Sequence, residues 1–429
     1  MDEPMRHGDE SVRGERIYWV TQYVGTPDQP GGTRHYEMAS TLRTRGYDVR
    51  LVASDLTLTS RRYSRRDGAR DRRAIEENVS GVPIVWLPAG SYERNDWRRG
   101  VGMALFAWHA AQYLVRDARR SDIIIGSSPQ LLAAAAARLA ALLRATRFVL
   151  EVRDLWPESL TAVSGKRGLL AAALQLLANM LYRTSHAIVI LAEGNRARIE
   201  HHGGRPARII FVPNGADSAA FEGPAVAPPP SLSWIADSPT FVYAGAHGPA
   251  NGLEITIEAA SLLKQRGRQD IRVLLVGDGP AKSDLQREAH GRGLTNLVFH
   301  DPIAKEAIPG LLRCCAGGLM LLKDAELFRF GVSPNKLFDY LASGLPVITN
   351  VPGEVASTVE RAEAGIVIRP HDAKGLADAM ISIVDGAVTG GNGPSYIREH
   401  HDRHVLVDRF SRMIDAISRQ KPMRKANVE

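Results

Sequence analysis

Short runs of β-branched and other apolar residues alternate with Ala-, Leu- and Arg-rich stretches along the first half of the chain. The runs are RIYWVTQYV (16–24), DVRLVAS (48–54), VPIVWLP (82–88), DIIIGSS (122–128), RFVLEVRD (147–154), HAIVILAE (186–193) and RIIFVPNG (208–215). Apolar residues in them are continuous rather than every second one, the pattern of strands buried on both faces in a parallel sheet covered by helices. EGPAVAPPPSLSWIADSP (222–239) then holds five prolines and no helical period, and reads as a linker. The rhythm restarts with TFVYAG (240–245) and continues through IRVLLVGDG (271–279), LVFHD (297–301), GGLMLL (317–322), LPVITN (345–350) and AGIVIRP (364–370). The expectation is an α/β protein of two doubly wound domains whose strand C-termini face one cleft. Its parts are a first domain over 15–221, a linker over 222–239, a second domain over 240–395, and a final helical stretch over 396–420 that returns to the first domain.

One segment departs from this rhythm. RRYSRRDGARDRR (61–73) carries seven arginines and two aspartates, a local +5, and SYERNDWRRGVGMALFAW (91–108) sets Trp97, Phe106 and Trp108 beside Arg98 and Arg99. One reading is a solvated loop followed by an ordinary amphipathic helix. The other is a patch for an anionic membrane surface or a membrane-borne acceptor, formed by Arg61, Arg62, Arg65, Arg66, Trp97, Arg98 and Arg99. Nucleic acid is not expected, because no helix-turn-helix, RNP or zinc pattern accompanies the charge. The longest apolar runs, 131–143 and 168–182, are too short for a membrane span, and the polar start of the chain has no signal-peptide pattern.

Composition changes this picture little. The 429 residues carry a net charge of +7, and the basic residues are mostly arginine, with no lysine before Lys166. Two adjacent cysteines, Cys314 and Cys315, exclude a disulfide scaffold or a multi-cysteine zinc site and suit a reducing compartment.

The candidate chemistry lies at strand C-terminal ends. Gly31 and Gly32 follow the first strand and Thr33 is placed to cap the next helix, which is either a plain turn or a phosphate-binding one. Arg153, Asp154 and Glu158 follow a buried strand directly, with Trp156 shaping the turn; they are either a structural pair at the hinge or groups that grip sugar hydroxyls. In YAGAHGPANGLE (243–254), Gly245, His247 and Gly248 expose possible donors to an anion, and LVGDGP (275–280) makes a tight turn. Neither matches the dinucleotide fingerprint, and no Walker A lysine motif occurs. In SPNKLFDYLASGLPVI (333–348), Ser333 and Pro334 predict a helix from Asn335. Lys336 in its first turn is unfavourable to the helix dipole unless an anion is present, and Asp339 shares its face. The plain alternative is a weak ion pair one turn apart.

Together, GG followed by LxxRGxxV, PNGAD (213–217), VGDGP and SPNKLFDYLASGLPVI resemble family 4 glycosyltransferases of the GT-B fold over nearly the whole chain. RDLWPES with SPNKLFDYLASG is similar to a fucosamine-transferase-like subgroup that builds bacterial surface polysaccharide. The resemblance implies two Rossmann-like domains and a nucleotide-sugar donor, a UDP-sugar in the first instance, held mainly by the second domain. It also implies retention at the anomeric carbon with no metal or other cofactor. The sugar expected is an N-acetylated hexosamine or a deoxyhexosamine. The expected acceptor is polyprenyl-linked or another glycan, met in the cytoplasm or peripherally at the inner face of the cell membrane.

Carried over by position, Gly31 and Gly32 lie near the donor diphosphate, and Asp339 takes the place of the second glutamate of the family's E-x7-E motif, which binds the ribose. Arg153 and Asp154 occupy the strand end where relatives carry a His-Asp pair. Two departures stand out. Gly331 occupies the first glutamate's place, and the cation pair that follows the first strand of the second domain is absent, leaving His247. Lys336, with the backbone donors of 245–252 and 31–32, is expected to take over that role. A catalytically weak partner subunit, or glycosylation of a small secondary metabolite, are the competing expectations.

Overall fold

The continuous apolar runs pair side by side because each is followed by a helix that returns the chain to the same end of the sheet. The computed structural model describes residues 14–56, 63, 65, 73–90, 97–158, 168–224 and 226–420. Among them, the first sheet contains β1 (Arg16–Val20), β2 (Asp48–Ser54), β3 (Ile75–Val79), β4 (Val82–Leu87), β5 (Ile123–Ser127), β6 (Arg147–Val152), β7 (Ala187–Ile190) and β8 (Ile209–Phe211). Their order is β3-β4-β2-β1-β5-β6-β7-β8, parallel throughout except for the antiparallel β3–β4 pair. The second sheet contains β9 (Thr240–Ala244), β10 (Arg272–Val276), β11 (Leu297–His300), β12 (Gly317–Met320), β13 (Val347–Thr349) and β14 (Gly365–Val367). Its order is β11-β10-β9-β12-β13-β14, all parallel. The order reverses between β1 and β5 and again between β9 and β12. These are the points where a doubly wound sheet opens a crevice for ligands.

β3 was not expected. Its sequence, IEENV, alternates and is half exposed, as suits an edge strand, and it lies next to the arginine-rich segment that dominates the local pattern. Ser80 and Gly81, both at positive φ, turn the chain from β3 into β4, and the Gly81 N–H donates to Asn78 Oδ1 at 2.8 Å.

The Pro-rich stretch is docked rather than a bare spacer. Pro230–Asp237 forms 3-10 turns whose Leu232 and Ile235 are buried in the second domain, and Arg272 stacks on Trp234. The last helix, Arg403–Ser418, starts at Asp402, whose side chain accepts from the His404 N–H. It packs against the first sheet through Leu406, Val407, Phe410 and Met413, in one apolar cluster with Trp19, Met38 and Leu42. The Phe410 ring stacks on Trp19 with centroids 4.9 Å apart.

Helices Trp97–Asp117, Leu131–Arg144 and Leu169–Thr184 lie side by side on the opposite face of the first sheet. Among the described residues, no helix is long and apolar enough to cross a membrane.

Candidate active site

The carboxyl ends of β9, β10 and β12 and the start of the helix Asn335–Ala342 surround a cavity of about 620 Å³ between the two domains. Pro30, Gly31, Gly32 and Asp154 close it from the first domain. Its lining combines the apolar side chains of Val276, Ile303, Ile308, Met320 and Leu322 with Gly245, Asn335 and Lys336. This is the site that the two strand-order reversals predict.

Lys336 is the cation of this lining that has no ion-pair partner among the described residues. Its ammonium lies 3.6 Å from the centre of the Tyr243 ring. Burial without a countercharge lowers its pKa to about 7. Gly245 leaves the room this requires, since a Cβ there would stand 2.9 Å from Nζ. Tyr340, on the same helix, fixes the floor by accepting from the Ala244 N–H at 2.9 Å. A cation stripped of water at the first turn of a helix is unfavourable until an anion enters.

One turn further along the helix, Asp339 is buried and accepts from Lys305 Nζ at 2.5 Å. Burial pushes its carboxyl above the usual range against the pull of Lys305. The loop that brings Lys305 is tied to the first domain. Its N–H donates to Gln29 O at 3.2 Å, and the Glu306 N–H donates to Pro27 O at 3.3 Å.

A buried network fixes the first domain's side. Arg34 and Glu151 are both nearly inaccessible and pair at 3.1 Å. Arg34 also donates to Pro213 O at 2.6 Å, Val212 O at 2.9 Å and Asn214 Oδ1 at 3.3 Å. The Asn214 N–H in turn donates to Ser333 Oγ at 2.8 Å. Burial opposes the charge on Glu151, yet the contacts of His35 and Arg34 hold its carboxyl well below the usual range. Burial keeps His35 itself neutral, so Arg34 is the lasting countercharge. The link Glu151–Arg34–Asn214–Ser333 ends three residues before Lys336.

The structure brings Gly31, Gly32, Asp154, Gly245, Asn335, Lys336 and Asp339 to one cavity. Gly32 approaches so closely that a Cβ would meet Asn335 Nδ2 at 2.8 Å. Asp154 is accessible yet hemmed in by the cleft, an enclosure that raises its carboxyl above the ordinary value against Arg153.

Other residues are placed differently. His247 is fully buried behind the Gly277–Gly279 turn, outside the cavity lining, and burial lowers its pKa to about 4. It is therefore a neutral ring rather than a cation for an anion, and its backbone N–H serves Asp278 O at 2.8 Å. Gly248 and Arg153 also lie outside the lining, and the Arg153 N–H donates to Ser128 Oγ. Ser333 does not cap its helix, because its hydroxyl faces Asn214, and Pro334 holds the capping position. The Thr33 hydroxyl likewise donates to Glu37 rather than to the backbone.

Of the expected membrane patch, Arg61, Arg62 and Arg66 lie outside the described residues. Arg65 bonds Glu77 at 3.0 Å and stacks on Trp86, so its charge belongs to the β3–β4 edge. Trp97 and Trp108 are 73% and 62% exposed, with Arg98 and Arg99 on the same helix, whereas Phe106 is core. Among the described residues, no group of three or more His, Cys, Asp or Glu side chains is arranged to hold a metal ion.

Two family models match the chain, a "Glycosyl transferase 4-like domain" over residues 31–215 and "Glycosyl transferases group 1" over residues 238–385. WcaI of Escherichia coli K12, named for glycosyl transfer in colanic acid biosynthesis, is 27% identical over 329 residues, covering 72% of this chain and 76% of that one. The solved sucrose-phosphate synthase of Thermosynechococcus elongatus superposes with a TM-score of 0.70 at 15% identity, covering 94% of this chain and 99% of that one. HepE of Anabaena, solved with UDP-glucose, gives 0.66 at 15% identity over 94% and 99%. Two parallel sheets facing one cleft, with both halves matched by these models, make the chain a member of the family 4 glycosyltransferases, enzymes of the GT-B fold.

Proposed function

We propose that the protein moves a sugar from a nucleotide-diphosphate donor to a glycan or lipid-linked acceptor, with retention at the anomeric carbon. The observation that carries this reading is Lys336, a half-buried cation without a countercharge at a helix start in the interdomain cavity. A diphosphate leaving group supplies the missing charge, and a preorganised donor at a developing anion is worth several kcal/mol, about 3–4 in known cases. The apolar side chains of the lining, Ile303 and Ile308 among them, suit contact with a nucleobase. The likeness to HepE, solved with UDP-glucose, supports UDP as the carrier, and the RDLWPES segment supports an amino or deoxy sugar. The likeness to WcaI supports a surface-polysaccharide acceptor.

An apolar face on the first domain favours a lipid-borne acceptor met at the inner face of the membrane. Trp97, Val101, Leu105 and Trp108 form an exposed stripe on one helix, beside exposed Leu139, Leu143, Leu169, Leu170 and Leu176 on its neighbours. A thermal-shift screen of nucleoside diphosphates and nucleotide sugars tests the donor class. Stabilisation by UDP and UDP-sugars but not by GDP is expected, and no shift with any of them contradicts the reading.

A further inference from the structure

Between Leu322 and Pro334, both part of the cavity lining, the chain leaves the cavity and crosses to the first domain. The short helix Glu326–Phe330 puts Leu327 into the first domain's apolar cluster, which also holds Leu155, Ile190 and Ile199. The Arg198 guanidinium lies 4.7 Å from the centre of the Phe330 ring. Asp324 and Arg329 pair at 2.8 Å and tie the ends of this strap together. The strap then runs through Ser333, whose hydroxyl accepts from the Asn214 N–H, straight into the helix start that carries Lys336.

Backbone meets backbone where the strap lands. Gly194 of the first domain comes so close that a Cβ there would stand 1.4 Å from Phe330 O. Behind the strap, Gly353 at φ +78° makes the same kind of approach, its Cβ position 2.6 Å from Arg329 O. Gly353 precedes the helix Glu354–Arg361, and Glu354 reaches past the strap to the first domain. Its Oε2 accepts from the Glu193 N–H at 3.1 Å, and the Gly194 N–H faces the same carboxyl. These two N–H groups open the 3-10 turn Glu193–Asn195 after β7, and the first N–H groups of a helical turn have no partner within it. One side chain of the second domain therefore serves two backbone donors of the first.

We propose that Glu354 is a positioning residue for sugar transfer: by gripping the Glu193 and Gly194 N–H groups across the cleft, it latches the strap 324–331 onto the first domain and so fixes the helix start that carries Lys336. Leu327 is the apolar half of the same latch. Both contacts exist only while the two domains are together, so they favour the arrangement in which Lys336 shares one cavity with Gly31 and Gly32. Burying a leucine and making a charge-assisted hydrogen bond each shift such an equilibrium by about tenfold or more. The part of the proposal that concerns ligand binding rests on the nucleotide-donor reading above.

The test compares Glu354→Ala, Glu354→Gln and Leu327→Ala in the full chain by hydrogen exchange and by calorimetry with UDP and GDP. In Glu354→Ala, exchange over 190–198 and 326–333 is expected to quicken about tenfold while the sheet amides stay as in the wild type. Affinity for the nucleotide that the wild type binds should fall about tenfold. Glu354→Gln, whose side-chain carbonyl accepts the same N–H groups, should recover both to within about threefold. Leu327→Ala should weaken binding similarly, and the double variant by less than the product of the two single losses, because both act on one latch. A general loss of structure would quicken the sheet amides as well and would not be rescued by Gln. Unchanged exchange in Glu354→Ala overturns the latch. Quickened exchange with wild-type affinity overturns the positioning role. Failure of the wild type to bind either nucleotide overturns the donor reading instead, and the exchange data then decide the latch by themselves.

Discussion

Raising the pH should weaken donor binding through Lys336. Its pKa in the free protein is about 7 because burial strips the ammonium of water and no carboxylate replaces that water. A bound diphosphate favours the charged form, so binding above neutral pH must take up a proton. At pH 6 about nine-tenths of the free protein is already protonated at Lys336, and at pH 8 about one-tenth is. Affinity for a nucleotide sugar is therefore expected to fall about tenfold from pH 6 to pH 8, and to keep falling until the pKa of the complex is reached. An intact nucleotide sugar is the right ligand, because it lacks the terminal phosphate that titrates near 6 in a free phosphate monoester. Calorimetry in two buffers of different ionisation enthalpy reads the proton directly. Uptake of about 0.9 proton per binding event at pH 8 and about 0.1 at pH 6 is expected, and both should vanish in Lys336→Met. Equal affinity at the two pH values, with no proton uptake at pH 8, refutes the claim that this unpaired, partly desolvated lysine receives the diphosphate.

Three further outcomes follow from particular contacts. Restoring the family's first motif acid with Gly331→Glu should lower the unfolding midpoint and yield no gain in turnover. Gly331 has φ +157°, and a Cβ there would meet Ala192 Cβ and Glu354 Oε2 at 3.0 Å, a strain of about 1–3 kcal/mol. Arg34→Ala should cost about 3–5 kcal/mol in urea unfolding, because it leaves Glu151 charged and buried; the double variant with Glu151→Gln should recover part of that loss. Trp97→Ala with Trp108→Ala should change stability by no more than about 0.5 kcal/mol, since both rings are exposed. Flotation with anionic vesicles should fall in the same variant; unchanged flotation counts against docking through this helix.

The parallel strands were legible because a strand buried on both faces is apolar without interruption, as in VLLV of β10 and IIIG of β5. β3 was not, because IEENV is a half-exposed edge strand beside a dense run of charge. Lys336 could be read from the chain, since a lysine in the first turn of a helix conflicts with the dipole. His247 was misread because a loop histidine between glycines looks exposed; its burial behind Gly277 and Gly279 comes from a different strand of the sheet. Lys305 was invisible because it meets Asp339 across 34 positions, and no local pattern marks it. The same holds for Arg34 and Asn214, which lie 180 positions apart. An arginine next to a Gly-Gly turn is a visible signal only once the turn is known to face the hinge. The apolar stripe of Trp97 and Trp108 was visible, whereas its extension over two neighbouring helices depends on how those helices pack.

The most direct measurement is proton NMR of the anomeric signal while the purified chain turns over UDP-linked and GDP-linked sugars, with and without a membrane extract as acceptor source. The account predicts that one donor class is consumed, that the transferred sugar keeps its anomeric configuration, and that Lys336→Ala loses most of the rate. A product of inverted configuration, or full turnover in Lys336→Ala, contradicts it.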